Sequence, residues 1–169
     1  MPPWGTTAVL ALVPQAQPLL DLAAAADPRV VRPGVPAHAA LLYPWLPADQ
    51  VDDRALERLR SALPAGRITA RLAEVERRAG FVAVAVPELG AAATAVRSAF
   101  ADQVPYGGRF GPNPPVHLTV ALGAEASVAA SVADRARALL PIVAELTALH
   151  VVALTATGWR ELREFPLSP

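Results

Sequence analysis

The chain has 169 residues, no cysteine, and 15 basic against 15 acidic residues, so its formal net charge is zero. That balance excludes a broad basic face for gripping long nucleic acid, and the lack of cysteine excludes a disulfide frame, thiol catalysis and thiolate metal sites. Every basic residue is arginine, which rules out a lysine nucleophile or Schiff base and, with the Ala and Pro richness, reads as high-GC coding bias.

This length fits a single domain with a sizeable core, although the 53% hydrophobic content leans on alanine. Residues 6–13 form a β-branched and leucine-rich run ended by Pro14, expected to be a strand; with no basic segment before it, it does not read as a signal peptide. Residues 18–26 are an Ala/Leu helix stopped at Asp27-Pro28, and a loop over 27–37 leads into a short strand at 38–43. In residues 48–63, Val51, Ala55, Leu59 and Ala62 recur at helical spacing, with acids early and arginines late, as the helix dipole favours. Alternation over 68–76 predicts one strand, 77–80 a turn, and 81–86 another strand. A helix at 89–100, a long Pro/Gly loop at 102–115, a strand at 117–122 and a helix at 127–140 follow. The chain closes with strands at 144–155 and 158–165. No apolar run is long enough to span a membrane, and the expected location is the cytoplasm.

One short pattern occurs twice in this series. Pro36-Ala37-His38-Ala39-Ala40 returns as Pro115-Val116-His117-Leu118-Thr119, and these are two of only three histidines. Each copy opens a predicted strand after a long loop, with the same order of strand and helix signals around it. The expected organisation is therefore one two-lobed domain over residues 1–169, built of pseudo-symmetric units 6–76 and 81–155 plus a final strand. Within a strand, residues i and i+2 share a face, so His117 and Thr119 point one way and Leu118 and Val120 the other. If the lobes are related by a pseudo-two-fold axis, the two histidine faces meet across a groove. Two imidazoles so placed suit a reaction that removes one proton and delivers another, such as in-line displacement at phosphorus. No metal-binding motif stands out, and neither a cofactor nor a metal is called for.

The segments His38–Trp45, Pro105-Tyr106-Gly107-Gly108-Arg109-Phe110, His117–Ala121 and Trp159 with Phe165-Pro166-Leu167 resemble the 2H phosphoesterase superfamily, in its bacterial 2′-5′ RNA ligase-like branch. The likeness covers nearly the whole chain. It implies an α+β fold of two pseudo-symmetric lobes, mostly antiparallel sheet with outer helices and a central groove. It also implies metal-independent action on 2′,3′-cyclic or 2′-5′ phosphodiesters through two His-x-Thr/Ser motifs. By the resemblance His38 and His117 are the catalytic pair and Thr119 binds substrate. Ala40 departs from the pattern by standing where the first hydroxyl belongs, and losing one such donor costs roughly 10²–10³ in rate. Tyr106, Arg109 or Arg32 are candidate substrate-binding residues that compensate. The implied partner is a small phosphorylated or nucleotide-like substrate or an RNA end, with no extended nucleic acid and no membrane.

Ala40 keeps two alternatives open: a nucleotide- or phosphate-binding protein of the same fold with weakened turnover, and an acid/base enzyme repurposed for a non-nucleotide biosynthetic metabolite. His150, in an apolar strand without a partner motif, reads as structural. Tyr43 and Trp45 read as packing residues. Glu74, Glu76, Asp52 and Asp53 read as solvated faces and turns.

Overall fold

The computed structural model describes residues 4–169. Nine strands and four α-helices run in the order β1 (Thr7–Leu12), α1 (Gln17–Ala26), β2 (His38–Leu42), α2 (Asp53–Ala62), β3 (Ile68–Leu72), β4 (Val75–Arg78), β5 (Phe81–Ala85), α3 (Gly90–Ala99), β6 (His117–Ala121), α4 (Ala126–Leu139), β7 (Ile142–Leu146), β8 (Ala148–Thr155) and β9 (Gly158–Pro166). The strands form a seven-stranded sheet, β4-β5-β6-β2-β1-β8-β9, and a separate pair, β3-β7. All the paired strands of both sheets are antiparallel. This is an antiparallel-sheet α+β fold, as the sequence led one to expect.

Two segments expected to be single strands are each two. Residues 68–76 break at Ala73-Glu74, and 144–155 break at Thr147, because their first parts leave to pair with each other as β3-β7 while their second parts join the large sheet. Alternation continues across both breaks, so the hydrophobic pattern alone does not register the change of sheet. The turn expected at 77–80 is also shorter: β4 runs through Arg78, leaving Ala79-Gly80 as the turn.

The histidine strands β2 and β6 lie side by side at the middle of the large sheet. Both show the same burial sequence, half-buried at the first and third residues and buried at the second, fourth and fifth. Ala39, Leu41, Leu118 and Val120 face the helices and enter the main core with Leu19, Ala23, Ala92 and Val96. The helices cross over to reach them: α1 packs against β6, and α3 packs against β2. α1 and α3 each follow a short 3₁₀ turn that opens on a proline, Pro14 or Pro87, a residue whose fixed φ suits a helix start. α2 is capped by Asp52, whose carboxylate accepts the Ala55 N–H at 2.8 Å. The opposite face of the sheet carries a smaller cluster of Ala8, Leu10 and Val152, joined by Leu12, Tyr43 and Trp159. No described helix is long and apolar enough to cross a membrane.

Candidate active site

The ladder between β2 and β6 is short, with Ala39 paired to Leu118. Continuing that antiparallel register by one residue sets His38 beside Thr119 and Ala40 beside His117, all on the face away from the helices. Each histidine is thus neighboured by the third residue of the other motif. His38 has a hydroxyl next to it; His117 has a methyl group. On its other side His117 pairs with Ala85, and Thr119 with Ala83.

The proline two residues before each histidine has a clear part in this geometry. The Pro36 carbonyl accepts a hydrogen bond from Nδ1 of His38 at 2.9 Å, and the backbone of Pro115 bonds His117. Committing Nδ1–H to a carbonyl leaves Nε2 with the lone pair in the neutral imidazole, so the free nitrogen of His38 is the one available for proton transfer. Each ring also meets the edge of an aromatic from a hairpin turn. Trp159, at the start of β9, lies 4.9 Å from His38 at 78°, and Phe81, at the start of β5, lies 5.3 Å from His117 at 84°. The β8–β9 turn that carries Trp159 abuts the loop before β2: a Cβ on Gly158 would stand 2.3 Å from the Gly34 carbonyl oxygen.

Burial is the main influence on both histidines and holds each below the usual imidazole value, so both are neutral at pH 7. His38 is pushed further down by Arg32 and by His117, and partly restored by its bond to Pro36. His117 is restored in part by Pro115 and Glu76 and opposed by Arg78 and Arg97.

Tyr106 stacks on His117 with ring centroids 6.3 Å apart and planes 15° apart, and it also meets Tyr43 at 6.1 Å and Phe110 at 5.4 Å. Its position is set by the backbone: Tyr106 has φ 52° and donates its N–H to the Tyr43 carbonyl at 2.6 Å. Burial raises its phenol above the ordinary value. Arg32 is exposed beside His38 and Tyr43, close enough for its charge to act on both. The Arg109 guanidinium lies 5.4 Å over the ring of Phe110, which itself meets Tyr106.

Three residues near the site were not singled out in the sequence as candidates: Arg97, Phe81 and Trp159. Arg97 is buried at 8% exposure, with Nε on the Leu41 carbonyl at 2.9 Å and Nη1 on the Pro114 carbonyl at 2.7 Å and Asn113 Oδ1 at 2.8 Å. Its signal was an arginine on the apolar stripe of its helix, in line with Ala93, Val96 and Phe100. Phe81 and Trp159 share a different signal, an aromatic following a small turn residue at the start of a hairpin strand.

His150 stands apart from the pair. It is buried on β8, and its Nδ1 is hydrogen-bonded to Oε1 of Glu161 across the β8–β9 ladder. Trp45 is buried and packs edge-on against Phe100 at 5.2 Å, while Tyr43 is half-buried against Tyr106. A cavity of about 370 Å³ lies elsewhere, lined by Leu46, Arg58, Phe100 and Gln103 among others, and neither histidine borders it. Among the described residues no three His, Asp or Glu side chains are grouped to hold a metal ion.

Comparison with known proteins bears on this arrangement. The family model described as the 2′-5′ RNA ligase superfamily matches residues 10–158. The sequence matches none of the curated proteins. Among solved structures, E. coli LigT complexed with 3′-AMP superposes with a TM-score of 0.67 at 18% identity, covering 99% of this chain and 100% of LigT. LigT complexed with ATP gives 0.64 at 16% identity, covering 98% and 99%. A protein described as a phosphoesterase gives 0.62 at 18%, covering 99% and 100%. At such identities the likeness is one of fold, and the sequence match carries the assignment: the chain belongs to the 2′-5′ RNA ligase superfamily, the 2H phosphoesterases.

Proposed function

We propose that this protein is a metal-independent phosphodiesterase that opens 2′,3′-cyclic or 2′-5′ phosphodiesters of small nucleotides, with His38 and His117 as its acid/base couple. Family and fold support a phosphoesterase or RNA ligase-like activity. The observation that carries the finer reading is the register of β2 and β6, which sets both imidazoles on one half-buried face, with Nδ1 of His38 tied to a backbone carbonyl. LigT structures with 3′-AMP and ATP support a small nucleotide as the ligand class.

In the proposed step the neutral imidazole takes a proton from water through Nε2 as the water oxygen bonds to phosphorus. The bond from phosphorus to the 2′ or 3′ oxygen breaks on the opposite side, and the second imidazole, as imidazolium, delivers its proton to that oxygen. The product is a phosphate monoester, and the proton balance is restored by exchange with solvent. Because burial keeps both rings neutral in the free protein, one must gain its proton with the substrate, whose negative phosphate favours the charged imidazole. The Thr119 hydroxyl, next to His38, donates to a non-bridging oxygen. Tyr106 and Arg32 line the groove.

The test is turnover of a panel of 2′,3′-cyclic and 2′-5′-linked nucleotides by wild type, His38→Ala and His117→Ala. Loss of an imidazole is expected to lower the rate by roughly 10²–10⁴. A wild type that turns over none of the panel, or variants as active as wild type, would overturn the proposal. Ala40 beside His117 favours a second reading, a nucleotide-binding relative with weakened turnover. It predicts saturable binding without product, and rapid turnover by wild type disposes of it.

A further inference from the structure

The groove has unlike ends, and the difference coincides with a buried arginine, Arg97. The end at His117 lacks a motif hydroxyl, since its cross-strand neighbour is Ala40. The β2–β6 ladder consists of the Ala39–Leu118 pair, and beyond it on the Ala40–His117 side a side chain bridges the two strands. That side chain is Arg97, with Nε on the carbonyl of Leu41 in β2 and Nη1 on the carbonyl of Pro114, three residues before His117. All three of its acceptors are neutral oxygens, and no carboxylate among the described residues forms an ion pair with it. Its charge acts on Tyr106 and on His117.

A buried guanidinium without a counter-ion is costly, and a hydrophobic side chain would close the gap at less expense. The other half of the chain shows the alternative. Aligning the first residues of α1 and α3, Gln17 and Gly90, puts Ala24 at the place of Arg97. At the level of the groove, the end where Thr119 stands beside His38 therefore has no such cation, and the end where Ala40 stands beside His117 has Arg97.

We propose that Arg97 is a positioning residue whose unpaired charge is the counter-ion of the substrate's phosphate, and which fixes the spacing of β2 and β6 at the His117 end of the groove. It acts through its field and through the strands it holds. The anion that binds completes the charge balance that the free protein lacks. This deepens the proposed phosphodiesterase reading and rests on it for the identity of the anion.

The test uses the full chain with Arg97→Gln, which can keep a hydrogen bond to a carbonyl without charge, and Arg97→Lys, which keeps the charge. Binding of 3′-AMP is expected to weaken roughly tenfold in Arg97→Gln and by less than roughly threefold in Arg97→Lys, while adenosine binding is unchanged in both. In imidazole NMR titrations of the free proteins, Arg97→Gln should move the His117 midpoint upward, because Arg97 is one of the charges that lower it. Wild type supplies an independent reading should Arg97→Gln fail to fold: the Arg97 side-chain nitrogen signals should shift with 3′-AMP and not with adenosine. Equal loss of 3′-AMP binding in both variants, an unmoved His117 midpoint, or Arg97 signals blind to 3′-AMP would each overturn the proposal. Normal turnover with these negative results would leave the phosphodiesterase reading standing without Arg97. Charge-dependent 3′-AMP binding without turnover would leave Arg97 standing and remove that reading.

Discussion

At the scale of single residues, the substitution at Ala40 acquires a location that its motif did not supply. The motif places it two residues after His38, whereas the sheet register places it beside His117. Its missing hydroxyl is therefore a deficit at the second histidine. Restoring it by Ala40→Thr should raise turnover of a good cyclic-phosphate substrate by roughly tenfold or more, since one donor to a developing anion is worth about 10²–10³ and Arg97 already supplies part of the charge at that end. A rate equal to or below wild type, with unchanged melting temperature, would show that the groove has been reshaped around alanine. The placement of His38, His117 and Thr119 on one face of two paired strands was legible in the sequence because a repeated short pattern needs only adjacency to be seen. Arg97 was not, because its meaning depends on a gap between two strands that no local pattern encodes.

At the scale of elements, the two hairpins decide how far each histidine is enclosed. Trp159, just after the β8–β9 turn, reaches His38, and the backbone of Gly158 comes close to that of Gly34 in the loop before β2. Gly158 has φ 148° and no room for a Cβ, so Gly158→Ala meets both backbone strain and a clash with a carbonyl. We expect it to cost about 1–3 kcal/mol of stability and to reduce turnover beyond that loss as Trp159 leaves His38. The checks are denaturant unfolding, tryptophan fluorescence and assay at a temperature where the variant is fully folded. A destabilised variant with unaltered kinetics would mean that Trp159 does not shape the site. Most elements could be read from hydrophobic periodicity and breaker residues. The exceptions were 68–76 and 144–155, where two strands run nearly end to end and part company only because β3 and β7 pair with each other. Pairing between distant segments is a tertiary event, and alternation within a segment is silent about it.

At the scale of the whole molecule, the site and the stability of the fold are linked through protons. His38 faces Arg32 and His117, and His117 faces Glu76, Arg78 and Arg97, but burial is the largest influence on each and lowers both below 6.5. As pH falls below 6.5, the unfolded chain takes up protons on these imidazoles before the folded chain does. The unfolded state then binds more protons, so stability falls as pH drops from 6.5 through the folded values, and above 6.5 neither group contributes. The depressed carboxylate of Asp27 belongs to a separate window, below its ordinary value of 3.8. Wild type should therefore lose roughly a few degrees of melting temperature between pH 7 and 5, and His38→Gln/His117→Gln should lose less over the same range. A phosphate ligand reverses the sign, because it favours the imidazolium that burial disfavours. 3′-AMP should then raise the melting temperature more at pH 5.5 than at pH 8 in wild type, with the difference abolished in the double variant. Equal stabilisation at both pH values in wild type would separate the ligand from the histidines and place its binding elsewhere on the protein.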